Sequence, residues 1–146
     1  MPFEVIDNVA KVASQIGCFP DGVRVEPRKL TRRGGTGHTS YIKVTVGAQL
    51  AKKLVWRNEA QRIDLAFGTG RDAGKIRASV NISAGQFIAR RDRQGRFVFT
   101  INAATADGLF ALDFPAFDIE HVEPVCETNT PPALVFKASD AMLAVD

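Results

Sequence analysis

Residues 44–54 read Val-Thr-Val-Gly-Ala-Gln-Leu-Ala-Lys-Lys-Leu, and residues 99–109 read Phe-Thr-Ile-Asn-Ala-Ala-Thr-Ala-Asp-Gly-Leu. The shared frame is an apolar-Thr-apolar strand end, a capping residue (Gly47 or Asn102), then Ala, Ala and Leu at helical spacing. Two later matches keep the order. Ile63-Asp64-Leu65 is answered by Phe117-Asp118-Ile119, and Ile76-Arg77-Ala78-Ser79 by Phe136-Lys137-Ala138-Ser139. Three matches in one order point to an internal duplication. No linker separates the copies, so they read as two lobes of one core. A chain of 146 residues is long enough to bury it as a single domain, residues 1–146.

The local patterns fill in the rest. Ile6, Val9, Ala13 and Ile16 recur at helical spacing, which predicts an N-terminal helix over 1–17. Pro20-Asp21-Gly22 is a turn, and Val23–Glu26 a strand that Pro27 ends or pushes to a sheet edge. Residues 28–37 read as a basic, Gly-rich loop before a strand over 41–46. A short helix over 48–55 turns Leu50, Ala51 and Leu54 inward. Strands over 62–67 and 75–82 flank a Gly-rich turn, 68–74. Residues 86–91 and 96–101 form a hairpin about Asp92-Arg93-Gln94-Gly95. Asn102 caps a second short helix, which Pro115 stops and which buries Leu109 and Leu112. Strands over 117–122 and 134–139 follow, with a frayed tail over 140–146. The predicted class is mainly β with short helices, in two ββαββ halves, 23–82 and 86–139.

Charge is unevenly divided along the chain. Residues 1–96 hold 18 of the 19 Lys and Arg against 8 acids, whereas residues 97–146 hold Lys137 alone against 8 acids. That division predicts a basic face and an acidic face, and a basic face draws polyanions, nucleic acid first among them. No apolar run nears the ~20 residues of a membrane span, and Met1–Asp7 lacks a basic leader region. Cys18 and Cys126 have neither CxxC spacing nor clustered His, so they read as two buried thiols of a cytoplasmic protein without a metal site.

Several candidate motifs fail on context. Gly68-Thr69-Gly70-Arg71-Asp72-Ala73 matches GxGxxA, but a β-patterned run follows where a helix N-terminus must receive the pyrophosphate. Gly70–Ile76 is one residue short of a P-loop and has Ile where Ser or Thr must hold magnesium. His38 sits in the Gly-rich loop with no nucleophile pattern near it. Asp118 and Glu120 flank one strand face beside His121, and an outward polar face explains them as well as a carboxylate pair does. No active site or cofactor is legible, and the expectation is a non-enzymatic protein.

The hairpin Phe87–Ile101, with basic residues before an Asp92-x-x-Gly95-Arg96 turn and an apolar strand after it, resembles the opening hairpin of AbrB/MazE-type DNA-binding domains. Residues 44–80 resemble the remainder of that pattern: apolar strand, Leu-rich helix, then two strands about a Gly-containing turn. In that family two chains swap hairpins to build one barrel whose opening hairpins line a DNA-binding face. The resemblance therefore implies a pseudo-twofold β-barrel from two ββαββ halves in one chain. It also implies duplex DNA as partner, gripped through Arg28, Lys29, Arg32 and Arg33 in one loop and Arg90, Arg91, Arg93 and Arg96 in the other. The chain departs from the family at Gly47 and Asn102, where a Pro is usual, and at Ala104 and Thr105, where Arg pairs are frequent. The alternative is a protein-binding accessory module, antitoxin-like or phage-type, using the acidic C-terminal half and exposed aromatics such as Phe110 and Phe114.

Overall fold

The computed structural model describes residues 18–31 and 38–144. The helix expected over 1–17, and Arg32 and Arg33, lie outside the described residues. Apolar alternation sets the strands: Val23 and Val25, Ile42 and Val44, and Phe97, Phe99 and Ile101 are all buried on one side of the sheet, as period-two side chains must be. In chain order the elements are β1 (Val23–Thr31), β2 (His38–Val46), α1 (Ala48–Lys53), β3 (Ala60–Phe67), β4 (Lys75–Val80), β5 (Phe87–Arg91), β6 (Phe97–Asn102), α2 (Ala103–Ala106), β7 (Phe117–Ile119), β8 (Leu134–Lys137) and α3 (Asp140–Leu143).

The eight strands form one antiparallel sheet in the order β7-β1-β2-β6-β5-β3-β4-β8, curled into a half-barrel. Strands from different parts of the chain interleave: β1 and β2 lie between β7 and β6, and β3 and β4 between β5 and β8. Val44 stands opposite Phe99 in the β2–β6 ladder, and Ile76 opposite Phe136 in the β4–β8 ladder. β1 runs straight through Pro27, which pairs with Ile42. β7 reaches only Val23–Val25, so past Val25 the outer side of β1 is unpaired among the described residues, and a residue without an N–H is tolerated there. Residues 28–31 and 38–40, expected in a loop, are thus strand, because cross-strand pairing continues from Arg28↔Tyr41 to Thr31↔His38.

The two helices of the repeat are capped by different means. At α2 the Asn102 side chain accepts from the Thr105 N–H at 2.8 Å. At α1 the Pro20 carbonyl accepts from both Gln49 and Leu50 at 3.0 Å. Gly47 suits that position because a Cβ there would collide with the backbone of Phe19 and Pro20.

Several sequence expectations are corrected. Leu50 and Leu54 are fully buried, but Leu109 is 41% exposed and Leu112 only half-buried. Four-residue α2 ends at Ala106, and the chain turns at Gly108 with φ 75°, so the inward positions fall to Ala106, Phe110 and Phe114. Phe110 packs edge-on against Phe67 at 5.2 Å, and Phe114 packs on Phe117 at 6.1 Å. Neither is an exposed aromatic. The tail does not fray through 140–144: Ser139 caps α3, Met142 is fully buried, and its carbonyl accepts from Ala111 N–H at 2.7 Å. Cys18 is half-buried and Cys126 exposed, so the two thiols are not a buried pair. No helix of the described residues is long and apolar enough to cross a membrane.

Candidate nucleic-acid interface

The β5–β6 turn is built by Asp92. Its Oδ1 accepts from the N–H groups of Gln94 at 2.9 Å and Arg96 at 3.0 Å, folding the chain back within four residues. Its Oδ2 accepts from Arg96 Nε at 2.8 Å. Gly95 takes φ 81°, a left-handed conformation with no steric cost for glycine. The GxGxxA segment is likewise a tight turn, with Gly68 N–H donating to Lys75 C=O at 2.9 Å between β3 and β4.

The eight expected DNA-binding residues separate into three groups. Arg32 and Arg33 lie outside the described residues. Three are ion-paired: Arg28 with Glu26 at 3.2 Å, Arg91 with Glu59 at 3.3 Å, and Arg96 with Asp92. Arg96 is the most committed, since its side chain is only 17% exposed and doubly tied to the turn. Lys29, Arg90 and Arg93 are exposed, with no carboxylate within ion-pair distance among the described residues. Glu26 also faces Arg24 at 3.4 Å and Lys43 at 3.7 Å, and Arg24 reaches Asp118 at 2.7 Å. Partial burial works to raise the Glu26 carboxyl, but the Arg28 hydrogen bond and the charges of Arg28, Lys43 and Arg24 outweigh it and hold it below the ordinary range.

Sequence reasoning missed two further cations. A Cβ added at Gly95 would stand 3.6 Å from Ala48 Cβ, so the turn abuts α1. The backbone of Arg91 donates to the Glu59 carbonyl at 2.8 Å. Lys52 on α1 and Arg57, next to Trp56 whose ring packs on Phe97 at 5.6 Å, are both exposed. Their only signal in the chain is a scatter of cations between 52 and 57.

The two basic segments stand at opposite ends of one ladder. β2 and β6 run antiparallel, so the β5–β6 turn lies at the Val46–Phe97 end and the β1–β2 connection beyond the Tyr41–Asn102 end. The eight steps of β2 separate them by roughly 25 Å at about 3.3 Å per residue. Between them on the outer side of this ladder, Lys43 is ion-paired with Glu26 of β1 and Thr45 is buried. Of the acids of residues 97–146, Asp107 and Asp113 lie between α2 and β7 and the other six on or after β7, which is strands away from β5 in the sheet order. Asp118 is held by Arg24, His121 is engaged with Glu123, and Glu120 is exposed.

Comparisons of the chain with protein-family models, with curated proteins and with solved structures give no match.

Proposed function

We propose that this protein binds duplex DNA without catalysing a reaction, through the arginine-rich β5–β6 turn and the β1–β2 hairpin at the far end of the same ladder. The observation that carries this reading is the turn itself. Asp92 spends its charge on Arg96 and the backbone, which leaves Arg90 and Arg93 exposed on a fixed scaffold. Guanidinium groups without carboxylate partners are the residue type that grips phosphate oxygens. A separation of roughly 25 Å corresponds to about seven base-pair steps of ~3.4 Å. A transcription-regulating role in the cytoplasm follows from such binding.

A tandem origin underlies the proposal, with two AbrB/MazE-like ββαββ halves related by a pseudo-twofold axis. The ladders support it. Exchanging β1 with β5, β2 with β6, β3 with β7 and β4 with β8 turns the β1–β2 pair into β5–β6 and the β1–β7 pair into β5–β3. It returns β2–β6 and β4–β8 to themselves. A twofold axis must then cross each self-paired ladder where a residue faces its own counterpart. The repeat-matched pairs Val44–Phe99 and Ile76–Phe136 are such residues.

The test is binding of a random-sequence duplex by fluorescence anisotropy at several salt concentrations. Each phosphate contact contributes about 0.9 to the slope of log affinity against log salt. Replacing Arg90 and Arg93 by Ala is expected to flatten the slope by roughly two such contacts and weaken binding across sequences. Absence of salt-dependent binding in the wild type at low ionic strength would refute the reading. The protein-binding alternative then takes precedence, favoured by the acidic residues that follow β7.

A further inference from the structure

The curled sheet has two free edges, and they meet at one groove. β7 and β8 are the terminal strands of the sheet, and residues of both line a groove of about 620 Å³. Its lining includes Ile119 and Val122 on one side and Phe136 and Ala138 on the other, mostly buried apolar side chains. Among the described residues, the backbone groups along the outer sides of Phe117–Ile119 and Leu134–Lys137 make no ladder with another strand. A sheet edge of this kind is a template for a further strand.

On the tandem reading above, the groove stands where the β3–β4 ladder stands in the other half. Leu65↔Ala78 and Phe67↔Ile76 are paired there. By the repeat matches, their counterparts are Ile119 with Ala138 and His121 with Phe136, which all line the groove and form no ladder among the described residues. The connection explains the difference. β3 and β4 are joined by the tight turn 68–74, whereas 120–133 forms a longer excursion closed on itself by the Val125↔Ala133 bridge. The groove also has a sign. Glu123, which is engaged with His121, and Asp140 line it, and Lys137 is the one Lys or Arg of its lining among the described residues.

We propose that this groove accepts an extended, basic segment of a partner protein, which adds as a strand between β7 and β8 and closes the half-barrel. Main-chain hydrogen bonds to the two edges provide affinity, apolar side chains at alternate positions enter the groove, and intervening Lys or Arg meet the carboxylates. The surface is separate from the basic β5–β6 turn, so the protein can hold a polyanion and a basic peptide at once.

The probe is a fluorescein-labelled peptide of about eight residues, alternating Lys and Val, titrated into the full chain and followed by anisotropy and amide chemical shifts. Saturable binding is expected, with shifts concentrated at 117–123 and 134–138. N-methylation of alternate peptide amides removes strand hydrogen bonding but no charge, and is expected to weaken binding by roughly tenfold or more. Glu123→Lys with Asp140→Lys is expected to do the same to the unmodified peptide while leaving duplex affinity no weaker, which separates this proposal from the DNA reading. Equal affinity for the N-methylated peptide or for a Glu-Val counterpart would overturn strand addition. Shifts confined to other residues, or no binding up to millimolar peptide, would also overturn it. Concentration-dependent shifts of the free protein at 117–123 and 134–138 would assign the groove to a second copy of the chain instead.

Discussion

Val44 and Phe99 face each other across the central ladder, both buried, on strands 55 positions apart in the chain. On the proposed tandem reading they are the same position of the two copies, and the axis passes between them. The β2–β6 ladder they belong to joins the N-terminal hairpin to the rest of the curled sheet, so strands far apart in the chain cover each other's apolar side chains. Neither half could keep this face dry alone. Whatever ligand the surface takes, the halves fold as one unit.

The end of α1 stores removable strain. Val55 sits at φ 62° with its N–H bonded to Lys52 C=O at 3.1 Å, while Trp56 N–H reaches back to Ala51 C=O at 3.0 Å. This is a helix-terminating motif that normally places Gly at the left-handed residue, and a β-branched side chain there costs about 1–2 kcal/mol. Val55 is 44% exposed, so little packing is lost on its removal. Val55→Gly is expected to raise stability by about 1 kcal/mol, net of the added freedom of the unfolded chain. A urea midpoint at or below that of the wild type would show that the motif carries no such strain.

The two leucines matched by the repeat should differ sharply. Leu54 is fully buried and Leu109 is 41% exposed. Leu54→Ala is expected to cost about 2–5 kcal/mol, and Leu109→Ala to stay within about 0.5 kcal/mol. Paired chemical denaturation curves measure both, and equal losses would contradict the assignment of the inward face to Phe110.

Glu26 links stability to acid. Its folded-state carboxyl titrates below its unfolded value, so it binds fewer protons when folded. The stabilisation is therefore present above the unfolded pKa, near 4.5, and is lost as pH falls through the lower folded value. Glu26→Gln is expected to destabilise the protein at pH 7, by no more than about 1 kcal/mol because its partners are partly solvated. The difference should shrink toward zero in thermal melts taken below pH 4.5. A difference that persists undiminished would mean that packing, not charge, is what Gln disturbs.

The two thiols should react at different rates. Burial, with a smaller push from Asp118, raises the Cys18 thiol to about 11, and its Sγ lies 3.4 Å from the Thr45 carbonyl. Cys126 is exposed. Alkylation by iodoacetamide at pH 8 followed by peptide mass mapping is expected to modify Cys126 well before Cys18, since only a thiolate attacks. Comparable rates would show that the 18–22 turn does not shelter its cysteine.

What the sequence determined by itself was local. The Asp92–Gly95 turn, the Asn102 cap and the alternation of β2 and β6 were legible because each depends on side-chain chemistry and chirality acting within a few residues. Candidate cations were legible as residue types, Arg90 and Arg93 included. Their availability was not, because the ion pairs of Arg28 and Arg91 depend on where Glu26 and Glu59 come to lie. Tertiary structure alone decided that Phe110 and Phe114, not Leu109, enter the core, that Met142 closes over Ala111, and that strands from different parts of the chain interleave. Those outcomes are settled by contacts between residues far apart in the chain, where burial of the larger apolar surface overrides the pattern of any one segment.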